Sequence, residues 1–89
     1  MRTILTIIGE DKVGIIARVA SVLSQANANI LDLNQTVMRE YFTMIMLVDM
    51  TDMTVSLEEI KERMAVVEKD LGLSIRIQRE EIFKKMHEI

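Results

Sequence analysis

The stretch "GEDKVG", residues 9–14, is the part of the chain whose residue types and spacing come closest to a binding site. Its two glycines have the separation found in a phosphate-binding P-loop. That motif ends in Gly-Lys-Ser/Thr, whereas Gly14 is followed by two isoleucines, and Glu10 and Asp11 would repel a polyphosphate. Nucleoside triphosphate binding is therefore disfavoured. What remains is a strand-to-helix turn that points free N–H groups at a small anion, or a plain turn without a ligand.

Few other residues could do chemistry. The chain has no cysteine and a single histidine, His87, which removes disulfides, thiolate catalysis and Cys-ligated metals, and one histidine cannot build a metal site alone. Glu58 and Glu59 fall at a predicted helix start, and the acidic pair of the first loop has no nucleophile beside it in sequence. We therefore expect binding rather than catalysis, with no catalytic residues, no metal and no cofactor.

The composition limits the class of protein. A domain of 89 residues buries only about two-thirds of its unfolded surface, so a partner surface would help to stabilise it. Although 49% of the residues are hydrophobic, there is no apolar run near the ~18 residues that span a bilayer and no secretory signal pattern. The net charge of −3 argues against a nucleic-acid surface. We expect a soluble, cytoplasmic oligomer with neither a membrane nor a nucleic-acid partner.

The hydrophobic pattern predicts elements in the order β-α-β-β-α-β. Strands are predicted at residues 2–8, 29–38, 42–50 and 73–80, and the middle two are close enough in sequence to form a hairpin. In the second helix, Ser56 and Glu59 form a capping box and Gly72 is the C-terminal stop. The inward residues are predicted to be Ile16, Val19, Ala20 and Leu23 of the first helix and Leu57, Ile60, Met64, Val67 and Leu71 of the second.

Two right-handed split crossovers join such elements into a ferredoxin-like α+β fold, a four-stranded antiparallel sheet of order 4-1-3-2 with two helices on one face. The central strands 1 and 3 are apolar on both faces, so a partner subunit or the C-terminal segment should cover the face opposite the helices. In "EIFKKMHEI", helical spacing predicts a short docking helix, although a frayed tail is an alternative. Its apolar residues are Ile82, Phe83, Met86 and Ile89.

This fold hosts unrelated functions, and several fail on residue type. An RNA-binding sheet would display stacking aromatics, but strand 1 has none and Phe42 stands alone near the start of strand 3. A copper or zinc carrier would need Cys-x-x-Cys in the first loop. Four of the eight methionines, Met44, Met46, Met50 and Met64, fall on predicted inward positions, which favours core packing over soft-metal binding.

The segment "GEDKVGIIARVASVLSQANANILDLNQT", with the element order around it, resembles the ACT domain, a small-molecule sensing module of many amino-acid-metabolism enzymes. Asp11 and Gly14 match its first turn, and Asn29 with Ile30 matches the opening of its second strand. The resemblance covers residues 1–80 and leaves 81–89 as a C-terminal extension. The chain is similar in particular to the stand-alone UPF0237 group. Val13 departs from a proline that is frequent in the family, and we expect no attached catalytic domain.

The resemblance implies homodimers with ligands at the subunit interface near the first loop. A free amino acid offers a carboxylate for the helix N-terminus and an ammonium for Asp11 and Asn29, provided that the first loop and the start of strand 2 lie together. The alternatives are that Asp11 only caps the helix, that Gly14 only relieves crowding, and that Asn29 only serves a turn with Asn27. The candidate ligand-binding residues are Asp11, Lys12, Val13, Gly14, Asn29 and Ile30.

These residues predict a non-enzymatic regulatory module that binds a small molecule, an amino acid, and signals through dimer geometry or a protein partner. The rival hypothesis is a dimerisation or protein-interaction module without a ligand.

Overall fold

The computed structural model describes residues 1–86, so the predictions that involve His87 and Ile89 lie outside the described residues. The predicted order of elements is confirmed, with boundaries shifted by one or two residues. The elements are β1 (Arg2–Glu10), α1 (Ile15–Gln25), β2 (Asn29–Met38), β3 (Tyr41–Asp49), α2 (Leu57–Leu71), β4 (Leu73–Arg79) and a short α3 (Glu80–Met86). No helix within the described residues is long and apolar enough to cross a membrane.

The four strands form one sheet in the order β2-β3-β1-β4, and each neighbouring pair is antiparallel. The predicted ferredoxin-like α+β fold with strand order 4-1-3-2 is confirmed. Because β3 is antiparallel to both β1 and β2, those two strands run in the same direction. The start of β2 therefore lies level with the start of β1: Asn29 pairs with Asp49, which pairs in turn with Arg2.

The core lies between the sheet and helices α1 and α2. Leu5 and Ile7 of β1 are fully buried there, as are the methionines of β3. Met44 and Met46 are completely buried, and Met50 and Met64 nearly so. The methionines predicted to fill the core therefore do so, since an unbranched side chain adapts to the space that the aliphatic neighbours leave.

The inward face of α1 differs from the prediction at two positions. Ile16 is 38% exposed and Ala20 only half-buried, whereas the buried residues of the helix are Ile15, Val19 and Leu23. The segment "IIARVASVL" carries two adjacent apolar stripes, and the stripe that begins at Ile15 buries the larger aliphatic side chains.

Helix α2 follows the prediction closely. The Ser56 hydroxyl accepts a hydrogen bond from the Glu59 backbone N–H at 3.1 Å, and Gly72 ends the helix in the left-handed conformation with φ of 66°. The Glu59 carboxylate accepts from Nε of Arg63 at 3.3 Å. The predicted stripe faces the core: Ile60, Met64 and Val67 are buried, with Leu57 and Leu71 packed at its ends.

The sheet face opposite α1 and α2, called here the open face, is partly covered by α3. Helix α3 contacts β1 and β4 and is tied to the start of β1 by a salt bridge of 2.7 Å between Arg2 Nη2 and Glu80 Oε1. Beneath this end of the sheet Ile4 is buried, whereas Ile8 and Ile45 further along are 51% and 41% exposed. The predicted docking helix is therefore present, and it covers only one end of the apolar surface.

Candidate functional site

The first loop joins the end of β1 to α1 and is anchored to the β2-β3 turn. The Asp11 backbone N–H donates a hydrogen bond of 2.7 Å to the Glu40 carbonyl. Gly14 has φ of 90°, a conformation that side-chain-bearing residues rarely adopt, and a Cβ built on it would meet no atom within 4 Å. The glycine is therefore required for its backbone conformation and not to relieve crowding.

The N-terminus of α1 has no side-chain cap. Gly14 is the N-cap residue, no side chain accepts from the first turn, and the first turn carries no acidic residue. The first helical hydrogen bond runs from the Arg18 N–H to the Gly14 carbonyl at 2.9 Å, which leaves the N–H groups of Ile15, Ile16 and Ala17 without helical partners. Asp11 is not the helix cap that one alternative required, and the helix end is available to an anion.

The residues of this first turn line a concavity of about 560 Å³, which we call the loop pocket. Its size falls within the range of roughly 300–1,000 Å³ that is typical of small-molecule sites. The pocket lies between the first loop, the first turn of α1 and the C-terminal half of β2, beside the free edge of the sheet. Its lining residues are Asp11, Lys12, Gly14, Ile15, Ile16, Ala17, Gln35, Val37 and Phe42.

Three side chains of the first loop are exposed and differ in what they face. Among residues 1–86, no hydrogen bond or ion pair engages the Asp11 carboxylate, so it is free to take a cationic group. Lys12 Nζ lies 3.4 Å from the position that a Cβ on Gly72 would occupy, at the C-terminal end of α2, where the helix dipole favours a cation. Val13 is fully exposed at the tip of the loop.

Asn29 and Ile30 lie at the opposite end of the sheet, because β2 runs in the same direction as β1. A ten-residue strand is roughly 30 Å long, so within one chain the structure does not bring these two residues to the loop pocket. They border a separate concavity of about 550 Å³. The neighbouring turn is made by Asn27, which has φ of 58° and donates from Nδ2 to the Asp52 carbonyl at 2.9 Å, so Asn29 is not needed for it.

Six of the nine residues that line the loop pocket were absent from the predicted site, and two of these six, Gln35 and Val37, come from β2. Both belong to the second half of β2, which ends level with the first loop. The predicted strand order contained the signal, since strands 1 and 2 must be parallel in a 4-1-3-2 antiparallel sheet.

The loop pocket presents groups that favour opposite charges. Its free N–H groups attract a carboxylate, and Asp11 attracts an ammonium group. Within residues 1–86, no group of three acidic, His or Cys side chains is placed to hold a metal ion. The lowered pKa of Asp49, which results first from the Thr51 hydroxyl bond to its carboxylate, belongs to the other end of the sheet.

Residues 2–78 match the family model of the ACT domain, and the chain belongs to the ACT domain family. This family is a class of regulatory ligand-binding modules. The chain is 51% identical over 89 residues to a UPF0237 protein of Clostridium acetobutylicum and 47% identical over 89 residues to one of Listeria monocytogenes, in each case over the full length of both chains. A UPF0237 protein of Methanocaldococcus jannaschii is 42% identical over 88 residues, which is 99% of this chain and 98% of the relative.

Solved structures share the fold. An ACT domain protein from Streptococcus pneumoniae superposes with a TM-score of 0.78 at 34% identity, covering 94% of each chain. The regulatory subunit of aspartate kinase from Thermus thermophilus gives a TM-score of 0.68 at 20% identity over 86% of this chain and 50% of that one. At that identity the second likeness concerns the fold alone.

Proposed function

We propose that this protein is a non-enzymatic regulatory homodimer that binds an amino acid at a site made by both copies. The observation that carries the proposal is the uncapped N-terminus of α1 beside the free Asp11 carboxylate in the loop pocket. The ligand's carboxylate accepts from the N–H groups of the first helical turn, and its ammonium group binds Asp11. The regulatory class of the family supports this reading.

The second copy binds along the free edge of β2. This strand pairs with β3 on one side only, and nine of its ten residues are exposed. Unprotected edges of this length normally pair with another strand, and β2 carries no Lys, Arg or Pro to prevent it, whereas the opposite edge strand β4 carries two arginines. Its exposed apolar side chains are Leu31, Leu33, Val37 and Met38.

Antiparallel pairing of two β2 strands about a two-fold axis joins the sheets into one of eight strands. The start of β2 in one copy then lies beside the end of β2 in the other. Asn29 and Ile30 of the second copy therefore approach the loop pocket of the first. This geometry supports a composite site in which Asp11, Lys12, Val13 and Gly14 come from one chain and Asn29 and Ile30 from its partner.

A thermal-shift screen against the amino acids identifies the ligand, because a ligand present at 100 times its dissociation constant adds about 2.7 kcal/mol to the free energy of unfolding. Calorimetric titration then compares variants. Asp11→Asn and Asn29→Ala are each expected to weaken binding by about 1–3 kcal/mol. The matched controls are Glu62→Gln on α2 and Gln25→Ala on α1, which lie outside the loop pocket and the β2 edge and should leave affinity unchanged. Parental affinity in both Asp11→Asn and Asn29→Ala would place the site elsewhere.

A mixing experiment tests whether two chains build the site. Homodimers of Asp11→Asn or Asn29→Ala have two damaged sites each. In a mixed dimer, the first loop of the Asn29→Ala chain meets the intact Asn29 of the other chain and forms one complete site. After the two variants are unfolded and refolded together, titration should recover tight binding at about one quarter of the wild-type number of sites. No recovery would mean that one chain supplies both residues.

The edge of β2 also favours a second candidate function, a dimerisation or protein-interaction module that needs no ligand. Its exposed apolar side chains would drive pairing whether or not the loop pocket is filled. A flat thermal-shift screen combined with a dimeric mass in light scattering would favour this candidate over amino-acid sensing.

A further inference from the structure

The open face carries a groove beside α3 with a volume of about 370 Å³. Ile8 and Ile45 form its apolar floor, Phe83 and Met86 form the wall on the α3 side, and Arg76 borders it on β4. The groove occupies the end of the sheet that α3 leaves uncovered. It is separate from both the loop pocket and the β2 edge.

Helix α3 itself has an uncovered apolar side. Ile82 is 50% exposed and Met86 is 59% exposed, although Phe83 of the same helix is half-buried against the sheet. One chain therefore presents an apolar groove and, next to it, a short helix with apolar side chains in excess of those needed to dock on its own sheet. Because the groove and the helix are on the same chain, they suit an isologous contact in which each copy contributes its own groove and its own helix.

The charges at the two features are complementary. Arg76 at the groove and Glu81 on α3 are both exposed, and within the described part of the chain neither takes part in a salt bridge. Glu80, the acidic neighbour of Glu81, is already bound to Arg2. An unpaired arginine beside the groove and an unpaired glutamate on the helix would meet if the helix of one copy entered the groove of another.

We propose that the open face binds a second copy of this chain, with α3 of each copy lying in the groove of the other. The two-fold axis runs across the strands, so that the end of the sheet left uncovered by one α3 is covered by the partner's α3. Ile82 and Met86 then pack over Ile8 and Ile45, and Glu81 reaches Arg76. The central contact is apolar and the charge pair lies at its rim, as in stable protein interfaces.

This interface goes beyond the proposed ligand-binding dimer and uses different residues. The two-fold axis of the β2 edge pairing is normal to the sheet. The axis proposed here is parallel to the sheet and runs across the strands. Placed so that they intersect, the two perpendicular two-fold axes generate a closed assembly of four chains.

Light scattering coupled to gel filtration separates the two interfaces, since each chain contributes 10.2 kDa. The wild type is expected at the mass of four chains. Ile45→Asp and Ile82→Asp, which break the open-face interface, are each expected at two chains, and so is Leu33→Lys, which breaks the β2 edge pairing. The double variant Ile45→Asp with Leu33→Lys is expected at one chain. The matched control is Val66→Asp, which places the same charge on an exposed valine of α2 and leaves the mass at four chains. Circular dichroism verifies that each variant is folded.

The outcomes distinguish this proposal from the edge dimer. A wild type of two chains that Ile82→Asp converts to monomers supports the open-face interface and contradicts the edge pairing. A wild type of any mass that Ile45→Asp and Ile82→Asp both leave unchanged overturns the open-face interface, whatever Leu33→Lys does.

A charge exchange tests the contact between Arg76 and Glu81. Arg76→Glu and Glu81→Arg should each raise the dissociation constant of the open-face contact by roughly tenfold or more, because like charges then oppose each other. The double variant should restore assembly, which a general loss of stability would not do. A double variant that dissociates as readily as the single ones would overturn the pairing.

Discussion

A methyl group on Gly9 would lie 2.6 Å from Cδ2 of Leu73, so a side chain at the end of β1 would have to displace the buried Leu73 side chain at the start of β4. The two residues are partners in the sheet, and the Gly72 carbonyl lies 3.3 Å from the same methyl position. Gly9→Ala is therefore expected to lower the free energy of unfolding by about 1–3 kcal/mol through overpacking. Urea denaturation measures the change.

The control for Gly9→Ala is a double variant. Leu73→Ala alone leaves a cavity, but in the Gly9→Ala background it also removes the clashing atom. The double variant should therefore lose less free energy of unfolding than the two single variants lose when their losses are added. Strictly additive costs would contradict the steric explanation.

The Thr3 hydroxyl is fully buried in the core and has no hydrogen-bond partner within the described residues. An unsatisfied buried hydroxyl costs about 1–3 kcal/mol, and valine has nearly the same shape without it. Thr3→Val is expected to raise the free energy of unfolding by an amount in this range. The control is Thr6→Val at a half-buried position on the open face, which should change the free energy of unfolding little. A destabilised Thr3→Val variant would indicate that the hydroxyl has a partner in solution.

The Asp49 pKa is lowered from its ordinary value of 3.8, first by the hydrogen bond from the Thr51 hydroxyl and then by that from the Thr51 backbone N–H. A lowered folded-state pKa contributes stability that is present above 3.8 and is lost as the pH falls through the folded value. Thr51→Val should return the Asp49 pKa towards 3.8 and weaken this acid dependence. NMR titration of the carboxyl group measures it, with Thr36→Val as the control. An unchanged Asp49 pKa in Thr51→Val would contradict the assignment.

Removal of residues 81–89 is expected to destabilise the fold, because it uncovers Ile4 and deletes the half-buried Phe83. Exposing one large apolar side chain costs roughly 1.5–3 kcal/mol. Thermal unfolding measures the loss, and a chain that lacks only residues 87–89 serves as the control. If both truncated chains unfold at the same temperature as the wild type, α3 contributes nothing to stability.

Helix α2 shows which features of the fold can be predicted from the sequence. Ser56 and Gly72 mark its ends through local hydrogen bonding and backbone conformation, which depend on few neighbours. The inward face of α1 could not be fixed in the same way, because Ile15 and Ile16 begin two stripes of similar hydrophobicity. Only the position of the sheet beneath the helix decides between them.

The candidate site was predicted in part. The conformation of the first loop depends on Gly14, a local feature, and its place before a helix follows from the sequence. Where Asn29 lies depends on the direction of β2 in the sheet, which places it away from the loop in one chain. Its role in ligand binding stays a prediction, because it requires a second chain whose position no local pattern encodes.

The position of β1 in the middle of the sheet has a consequence for how the chain acquires its structure. Strand β1 needs β3 on one edge and β4 on the other, and β3 ends at Asp49 whereas β4 ends only at Arg79. The edge of β1 that faces β4 therefore waits for its partner until Arg79 has been synthesised. Until β4 has been made, the nascent "RTILTII" segment is an incompletely paired apolar strand, the kind of surface that chaperones bind.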